Sequence, residues 1–237
     1  MTAYVTEFSV RDRARDLSRV EAFIALNTFE RPTLVLDTAV VADNFHALQA
    51  GLGQARIHYA VKANPAPEII ETLVGLGCHF DAASRGEIEL CLSRGAPAHH
   101  ISFGNTVKRS SDIAFAHRAG VTLFAADAEE ELVKIAHHAP GAQVYIRLIV
   151  EASEADWPLS RKFGCDRQMA LSLLDRAVAL GLVPVGFSFH VGSQTRRAAM
   201  WGPTLDEVAG TWHAALAAGH DLRLLNIGGG FPAFYGE

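Results

Sequence analysis

Short apolar runs alternate with helical patterns along most of this chain, and that alternation limits the folds the sequence can adopt. The runs are rich in β-branched and aromatic residues and predict strands at residues 33–36, 57–61, 78–82, 101–103, 123–125, 144–150, 185–191 and 224–227. Glycines close the helical stretches, at positions where a left-handed residue is favoured: Gly77, Gly95, Gly120, Gly181 and Gly219. This succession of βα units predicts an α/β fold with parallel strands.

The spacing of the strand ends favours a barrel over an irregular open sheet. With Lys62, Ala82, Asn105, Asp127 and Leu148 as approximate ends, the steps are 20, 23, 22 and 21 residues. Such regular spacing is typical of a (β/α)8 barrel of the TIM type. Seven barrel-type runs follow the separate run at 33–36. We therefore expect an incomplete barrel, with about seven of its eight units.

Two predicted helices begin beside these strand ends. Ser84 and Glu87 have the spacing of a capping box, and Asp127 stands where an aspartate would cap the helix that includes Glu129. Residues 151–164 are polar and lack periodicity. A long aperiodic segment between βα units is often functional, so we expect an active-site loop there.

Composition and charge exclude several classes of partner. The 237 residues carry 21 Lys plus Arg against 26 Asp plus Glu, a net charge of −5, and no run of like charge is longer than residues 129–131. We therefore expect no nucleic-acid partner and no binding to an anionic membrane. The amino terminus lacks the apolar core of a signal peptide, and no segment has the roughly 18 apolar residues of a membrane span.

Cysteine and histidine spacing argues against a metal site. Cys78, Cys91 and Cys165 are odd in number and show no CxxC spacing, so we expect a reducing, cytoplasmic compartment without a disulfide framework. The histidines include adjacent pairs at 99–100 and 137–138, which lack the i, i+4 spacing of a helical zinc site. The chain contains no GxSxG motif, so the sequence does not indicate a serine hydrolase. We expect no metal ion.

Lys62 ends an apolar strand, and Asn64 and Pro65 then turn the chain away. In a barrel, that strand end faces the active site. A partly desolvated lysine keeps some neutral amine, which can form a Schiff base with a carbonyl. On position alone, a strand-end lysine that extends its amine into solvent is the more frequent case.

Other strand ends carry groups suited to an anionic, planar cofactor. Residues 228–230 are three glycines, whose backbone N–H groups can approach phosphate oxygens. His190 and Ser193 offer a flat imidazole and a hydroxyl donor after another strand. Asp81 and Arg147 each place one charge within an apolar strand, so they could meet across the lumen as a buried ion pair. Each feature alone also has a structural explanation.

Taken together, these segments resemble the fold-type III pyridoxal-phosphate (PLP) decarboxylases, and most closely the ornithine and the ornithine/lysine decarboxylases. The resemblance runs from about residue 30 to residue 236, and the order of its motifs makes it specific. The motifs are YAVKANP around Lys62, FDAAS around Asp81, ISFGN ending at Asn105, YIR ending at Arg147, DWPLSRKFG at 156–164, FHVGS at 189–193 and GGGFP at 228–232.

This resemblance implies a role for each of the matching residues. Lys62 would carry PLP, and His190 would stack on the pyridine ring. Asp81, Glu87 and Arg147 would form a charged network beside the lysine, with Glu87 and Asn105 in supporting positions. The phosphate would be held by Ser193 with the glycines Gly228, Gly229 and Gly230.

The resemblance also implies an activity and a partner. We expect decarboxylation of a small-molecule basic amino acid, above all L-ornithine to putrescine and CO2. Lysine, arginine, diaminopimelate and carboxynorspermidine are alternative substrates. A homodimer is expected for the full-length parent.

In this family the first strand belongs to a second, β-rich domain, which the carboxyl-terminal part of the chain completes. The resemblance therefore divides the chain into residues 1–36, with one strand of that domain, and residues 37–237, the PLP-binding barrel. It implies that the sequence is an amino-terminal fragment without the family's Glu-Pro-Gly-Arg segment. We expect the 237-residue piece alone to be poorly soluble and inactive.

Two other readings stay open. Alanine racemases use the same barrel and a strand-end lysine, although the segments at 189–193 and 228–232 fit the decarboxylases better. Decarboxylase-like proteins that have lost the cofactor can act as regulators. The presence of Lys62, His190 and Ser193 argues against that second reading.

Overall fold

The computed structural model describes residues 18–150, 162–195, 197, 199 and 201–233. Its helices are α1 Ser18–Leu26, α2 Thr38–Leu52, α3 Pro67–Gly75, α4 Arg85–Ser93, α5 Ser110–Arg118, α6 Glu129–His138, α7 Arg167–Ala179 and α8 Trp201–Ala217. Its strands are β1 His58–Ala60, β2 His79–Ala82, β3 Ile101–Phe103, β4 Leu123–Ala126, β5 Gln143–Arg147, β6 Val183–Ser188 and β7 Leu224–Asn226. Short 3-10 turns lie at Val61–Ala63 and Ala98–His100.

The strands of the described ranges form one parallel sheet of seven strands, in the order β1-β2-β3-β4-β5-β6-β7. Each strand pairs in parallel with the next one along the chain. The predicted α/β architecture with about seven barrel units is therefore confirmed. Parallel order also brings the carboxyl ends of all these strands to one edge, where barrel enzymes place their active sites.

The outer face of the sheet packs against the helices and forms the main core. Large side chains at alternate strand positions are at most 1% exposed: Phe80, Phe103, Phe124, Ile146 and Phe187. They pack in one cluster with buried helix residues such as Ile70, Ile88, Ile113, Leu132 and Leu174. Each such side chain stabilises the fold by about 1.5–3 kcal/mol relative to an exposed one. Because these side chains face the helices, the alternate side chains of each strand face the lumen.

The inner face is curled around a packed lumen. The Ser102 hydroxyl on β3 lies 3.0 Å from the Tyr145 hydroxyl on β5, so these side chains meet across β4. Ala125, Tyr145 and Val185 form a second, smaller buried cluster inside this curve. Because side chains alternate between the two faces of a strand, Asp81, Ser102 and Tyr145 share the lumen face.

Local signals at helix ends were mostly predicted correctly. Ser84 caps α4, and its hydroxyl accepts a hydrogen bond from the Glu87 N–H at 3.3 Å. The predicted Asp127 cap is wrong. Because α6 begins at Glu129, its N-cap position falls on Ala128, and the Asp127 carboxylate instead accepts a hydrogen bond from the Gly164 N–H at 2.8 Å.

The separate run at 33–36 is not a strand in the part of the chain that the structure describes. A strand requires a ladder partner, and Leu34 is instead 85% exposed. The division into domains at residue 36 stays a prediction. Among the described helices, none combines the length and apolar character needed to cross a bilayer.

Candidate active site

Lys62 lies at the carboxyl edge of the sheet, in the 3-10 turn that follows β1. The preceding Val61 is fully buried and anchors the turn. The Tyr59 hydroxyl donates to the Asn64 carbonyl at 3.2 Å, and the Asn64 side chain accepts from the Ala66 N–H at 3.1 Å. These contacts hold the turn, while the Lys62 side chain itself is exposed at the mouth of the lumen. The lysine is thus less desolvated than expected.

Asp81 lies on β2, next to this turn. Its Oδ1 atom is buried and has no hydrogen-bond partner. A Cβ atom at Gly104 would overlap this oxygen, so the glycine lets the backbone of the next strand end cover the carboxylate. Burial raises the pKa of Asp81 to about 6; Glu87 raises it further, whereas the positive charges of Lys62 and Arg147 oppose the shift. Such an unsatisfied buried acceptor is typical of a functional site.

Glu87 and Asn105 hold the strand end beside Asp81. The Glu87 carboxylate accepts a hydrogen bond from the Ala83 N–H at 2.7 Å, and the Asn105 amide donates to the Ala83 carbonyl at 3.4 Å. Both residues thus contact the backbone that follows Asp81.

Arg147 ends β5 at the same rim. Its guanidinium carbon lies 5.4 Å from the centre of the Phe163 ring. Burial lowers its pKa, and the nearby charge of Asp127 is the largest opposing influence. Among the described residues, Arg147 and Asp81 form no ion pair, although their charges influence each other, and Asp127 acts more strongly on the arginine. The predicted pair across the lumen is therefore not formed.

His190 follows β6 and faces the same opening. Its Nδ1 atom accepts a hydrogen bond from the Gly192 N–H at 2.9 Å. Burial lowers the pKa of His190, and the positive charges of Arg147 and Lys62 lower it further. The ring is therefore neutral near pH 7, and since Nδ1 accepts, its proton lies on Nε2.

The three glycines after β7 differ in what they do. The Gly228 N–H donates to the Asn226 side chain at 2.9 Å, and a Cβ atom at Gly228 would overlap the Phe189 carbonyl oxygen. Gly230 has φ +90°, and a Cβ atom there would overlap the Gly192 carbonyl oxygen. Within the described ranges, the N–H groups of Gly229 and Gly230 make no hydrogen bond. These two N–H groups are therefore available to an anion.

The loop after β6 lies against this glycine loop. The Thr195 N–H donates to the Gly230 carbonyl at 2.9 Å. Ser193 precedes it and is partly exposed. The structure therefore brings the hydroxyl-bearing loop and the free N–H groups of the glycine loop to one place.

A second lysine, Lys108, is far more buried than Lys62, but its amine is fully occupied. Its Nζ atom lies 2.9 Å from the Glu131 carboxylate and donates to the carbonyls of Asn105 at 2.8 Å and Ala125 at 2.6 Å. Burial lowers its pKa to about 8, with Glu131 opposing the shift. The amine ties the ends of β3 and β4 together. It is not available to a ligand.

Several residues of this region were missed at the level of sequence. Tyr145 and Ser102 line the lumen, and Gln194 joins the two loops described above. The alternation along β3 and β5 could have indicated the first two residues. Of the predicted active-site loop, residues 151–161 lie outside the described residues. No group of three or more His, Cys, Asp or Glu side chains in the described ranges is arranged to hold a metal ion.

A family model matches residues 38–237, the pyridoxal-binding domain of the pyridoxal-dependent decarboxylases. The chain belongs to this family. Pyridoxal phosphate is the cofactor of the matched domain. The expectation of a PLP decarboxylase is therefore confirmed at the level of the family.

Two curated decarboxylases illustrate the relationship. The lysine/ornithine decarboxylase of Selenomonas ruminantium is 37% identical over 91% of this chain and 55% of its own length. The ornithine decarboxylase of Mus musculus is 37% identical over 73% of this chain and 38% of its own length. The chain thus spans about half the length, or less, of these decarboxylases.

Solved decarboxylase structures share the fold. The decarboxylase SrLDC, solved as a mutant in complex with PLP, superposes with a TM-score of 0.85 at 36% identity, over 91% of this chain and 56% of that one. The arginine decarboxylase of Paramecium bursaria Chlorella virus, bound to agmatine, gives a TM-score of 0.78 at 29% identity, over 82% of this chain and 53% of that one.

The residues at the rim fit the cofactor of this family. The buried, unpartnered Asp81 Oδ1 leaves an acceptor for a ligand beside Lys62. The free N–H groups of Gly229 and Gly230 provide donors for an anion. The neutral His190 ring provides a flat, uncharged surface at the same edge of the sheet.

Proposed function

We propose that this chain is the cofactor-binding part of a decarboxylase of basic amino acids, and that its substrate is L-ornithine, converted to putrescine and CO2. One observation carries the proposal. Three groups, Lys62 after β1, Asp81 near the end of β2 and His190 after β6, lie at the carboxyl edge of the sheet, and the charge of Lys62 acts on the other two. A lone strand-end lysine in solvent would lack this setting.

In this proposal Lys62 would hold PLP covalently through its amine, and His190 would pack against the ring of the cofactor. Because its pKa is lowered, it contributes packing and no positive charge near pH 7. Its orientation is fixed by the Gly192 N–H.

In this proposal the phosphate of the cofactor binds between the loop after β6 and the loop after β7. The N–H groups of Gly229 and Gly230 and the hydroxyl of Ser193 are the donors that we assign to it. Gly228 contributes differently: its N–H already donates to Asn226, and its missing Cβ lets the loop approach Phe189.

Asp81 and Arg147 set the charge around the reacting amine. Above about pH 6 Asp81 is ionised, and it then stabilises a cation at Lys62 or at the substrate amine. Arg147 holds a permanent positive charge at the same rim. When bound, PLP supplies the electron sink that accepts the electron pair left as CO2 departs.

Ornithine is chosen over other substrates on the motifs. Both an ornithine decarboxylase and a lysine/ornithine decarboxylase are 37% identical to this chain, so lysine is the alternative substrate that the assay must separate from ornithine. A homodimer of the full-length protein in the cytoplasm completes the proposal.

The experiment is an amine assay on the full-length protein loaded with PLP. Ornithine, lysine, arginine, diaminopimelate and carboxynorspermidine are supplied in turn, and the amines are separated and quantified. We expect putrescine to form with the highest kcat/KM, and Lys62→Ala to form none. A larger kcat/KM for lysine or arginine would remove the ornithine assignment. Absence of any amine together with absence of PLP binding would remove the whole proposal.

A further inference from the structure

Gln194 makes a two-point contact with one backbone unit of the neighbouring loop. Its Oε1 atom accepts a hydrogen bond from the Ala233 N–H at 2.7 Å, and its Nε2 atom donates to the Ala233 carbonyl at 2.8 Å. The side-chain amide thus pairs with the backbone of Ala233 as a neighbouring strand would. Since both hydrogen bonds go to one residue, they fix the direction of the side chain as well as its distance.

The backbone of Gln194 is unusual as well. Its φ is +57°, the left-handed region, and no other non-glycine residue in the described ranges has a positive φ. Glutamine has no special preference for this region, so the conformation needs support from its surroundings. The pair of hydrogen bonds to Ala233 provides that support.

This contact joins the two loops to which we assign the phosphate. Ser193 is the residue directly before Gln194, and Gly229 and Gly230 lie a few residues before Ala233. The loops also touch through the backbone, where the Thr195 N–H donates to the Gly230 carbonyl at 2.9 Å. The Gln194 contact adds a second point of attachment, beyond the glycines.

We propose that Gln194 is a positioning residue for the phosphate of the cofactor. Its side chain fastens the loop after β6 to the loop after β7, so that the Ser193 hydroxyl and the N–H groups of Gly229 and Gly230 face one anion. This inference rests on the proposed function, because it takes the phosphate to lie between these loops. Gln194 contacts neither the ring nor the reacting amine in this scheme.

Two variants separate the side chain from the backbone. Gln194→Ala removes the amide and keeps the strained φ, whereas Gln194→Gly removes the amide and relieves the strain. Gln168→Ala, at an exposed position on α7, is the matched control. Dissociation constants are measured on the full-length protein for PLP and for pyridoxal, which has the same ring and aldehyde but no phosphate.

We expect both Gln194 variants to raise the Kd for PLP about tenfold or more, as loss of two hydrogen bonds allows, and to leave the Kd for pyridoxal within about twofold. Gln194→Glu places a carboxylate oxygen against the Ala233 carbonyl and adds a negative charge beside the phosphate site, so we expect its Kd for PLP to rise at least as much as that of Gln194→Gly. The control binds both compounds as the wild type does.

The outcomes distinguish this inference from the proposed function. If the wild type binds PLP through Lys62 and Gln194→Gly binds PLP equally tightly, the positioning role is wrong and the proposed function stands. A parallel loss of PLP and pyridoxal in the folded Gln194→Gly variant, verified by its thermal melt, also contradicts the positioning role. If the wild type itself binds no PLP, the proposed function fails first.

Discussion

The two ends of the lumen both hold clustered titratable side chains, but the clusters differ in kind. At the carboxyl rim, Lys62, Asp81 and Arg147 combine both signs of charge around a buried oxygen without a partner. At the base, at the amino ends of the strands, His58, His79 and His100 form a stack of imidazoles. The register of the sheet places them there, since His58 pairs with His79.

In the part of the chain that the structure describes, the base has no counterpart to the rim's mixed charges. The ring centres of His58 and His79 are 4.8 Å apart, and those of His79 and His100 are 3.9 Å apart with planes at 16°. Burial lowers the pKa of all three rings, and the other charges acting on them are those of Arg56, His99 and one another. A cluster of perturbed groups alone is therefore not a site; opposite charges and free donors distinguish the rim.

The largest effect is expected from a methyl group in the glycine loop of the rim. Gly230→Ala meets both an unfavourable φ of +90° and the Gly192 carbonyl oxygen. We expect it to lower the free energy of unfolding by more than about 2 kcal/mol and to abolish PLP binding. Gly77, near the base, also has a positive φ, but a Cβ atom added there would meet no atom within 4 Å. Gly77→Ala should therefore lower the free energy of unfolding by less than Gly230→Ala does. Denaturant melts of both variants make the comparison.

Gly229→Ala is the control within the loop, because its φ is not left-handed and its Cβ would lie 3.7 Å from His190 Nε2. We expect this variant to fold with nearly wild-type stability. Equal stability of the Gly229→Ala and Gly230→Ala variants would contradict the close contact between Gly230 and the Gly192 carbonyl.

A smaller effect on stability is expected from substitution of Asp81, because burial disfavours the ionised form of its carboxylate. The pKa of Asp81 rises to about 6 on folding, so the folded state binds more protons than the unfolded state between about pH 4 and pH 6. Stability from this residue therefore falls as the pH rises through that window. In the cofactor-free protein, Asp81→Asn should raise the Tm at pH 7.5 by about 2–4 °C and weaken PLP binding. A Tm of Asp81→Asn below that of the wild type at pH 7.5 would contradict the conclusion that the ionised Asp81 destabilises the folded protein.

The histidine stack predicts a pH dependence of the opposite sign. Because the three rings are only partly buried, solvent screening makes its effect on stability the smallest. Folding lowers the pKa of His79 to about 4 from an ordinary value near 6.5, so the unfolded state binds more protons between these values. The stability from this residue is present above about pH 6.5 and is lost as the pH falls. His79→Gln should flatten the fall in Tm between pH 6.5 and 4, and leave the Tm at pH 7.5 nearly unchanged.

His137→Gln, on the exposed end of α6, is the matched control for this titration. It should keep the wild-type slope of Tm against pH. If His79→Gln keeps that slope as well, the stack at the base does not titrate as described.

Sequence alone predicted the order of the strands and the rim residues, because strand ends in a barrel converge whatever the details of packing. It failed where a contact depends on register or on a shift of one residue. The histidine stack needs His58 and His79, 21 residues apart, to lie side by side. Asp127 missed the helix cap by one position and so became the partner of Gly164. Gln194 carried no signal, since its partner Ala233 is defined only by the path of two loops.

The most direct test of the account is to find which lysine carries the cofactor. The full-length protein is incubated with PLP, reduced with borohydride and digested, and the modified peptide is identified by mass spectrometry. We expect modification of Lys62 at the rim and none of Lys108, whose buried amine is held 2.9 Å from the Glu131 carboxylate. Modification of Lys108 or of another lysine, with Lys62 unmodified, would contradict the central claim.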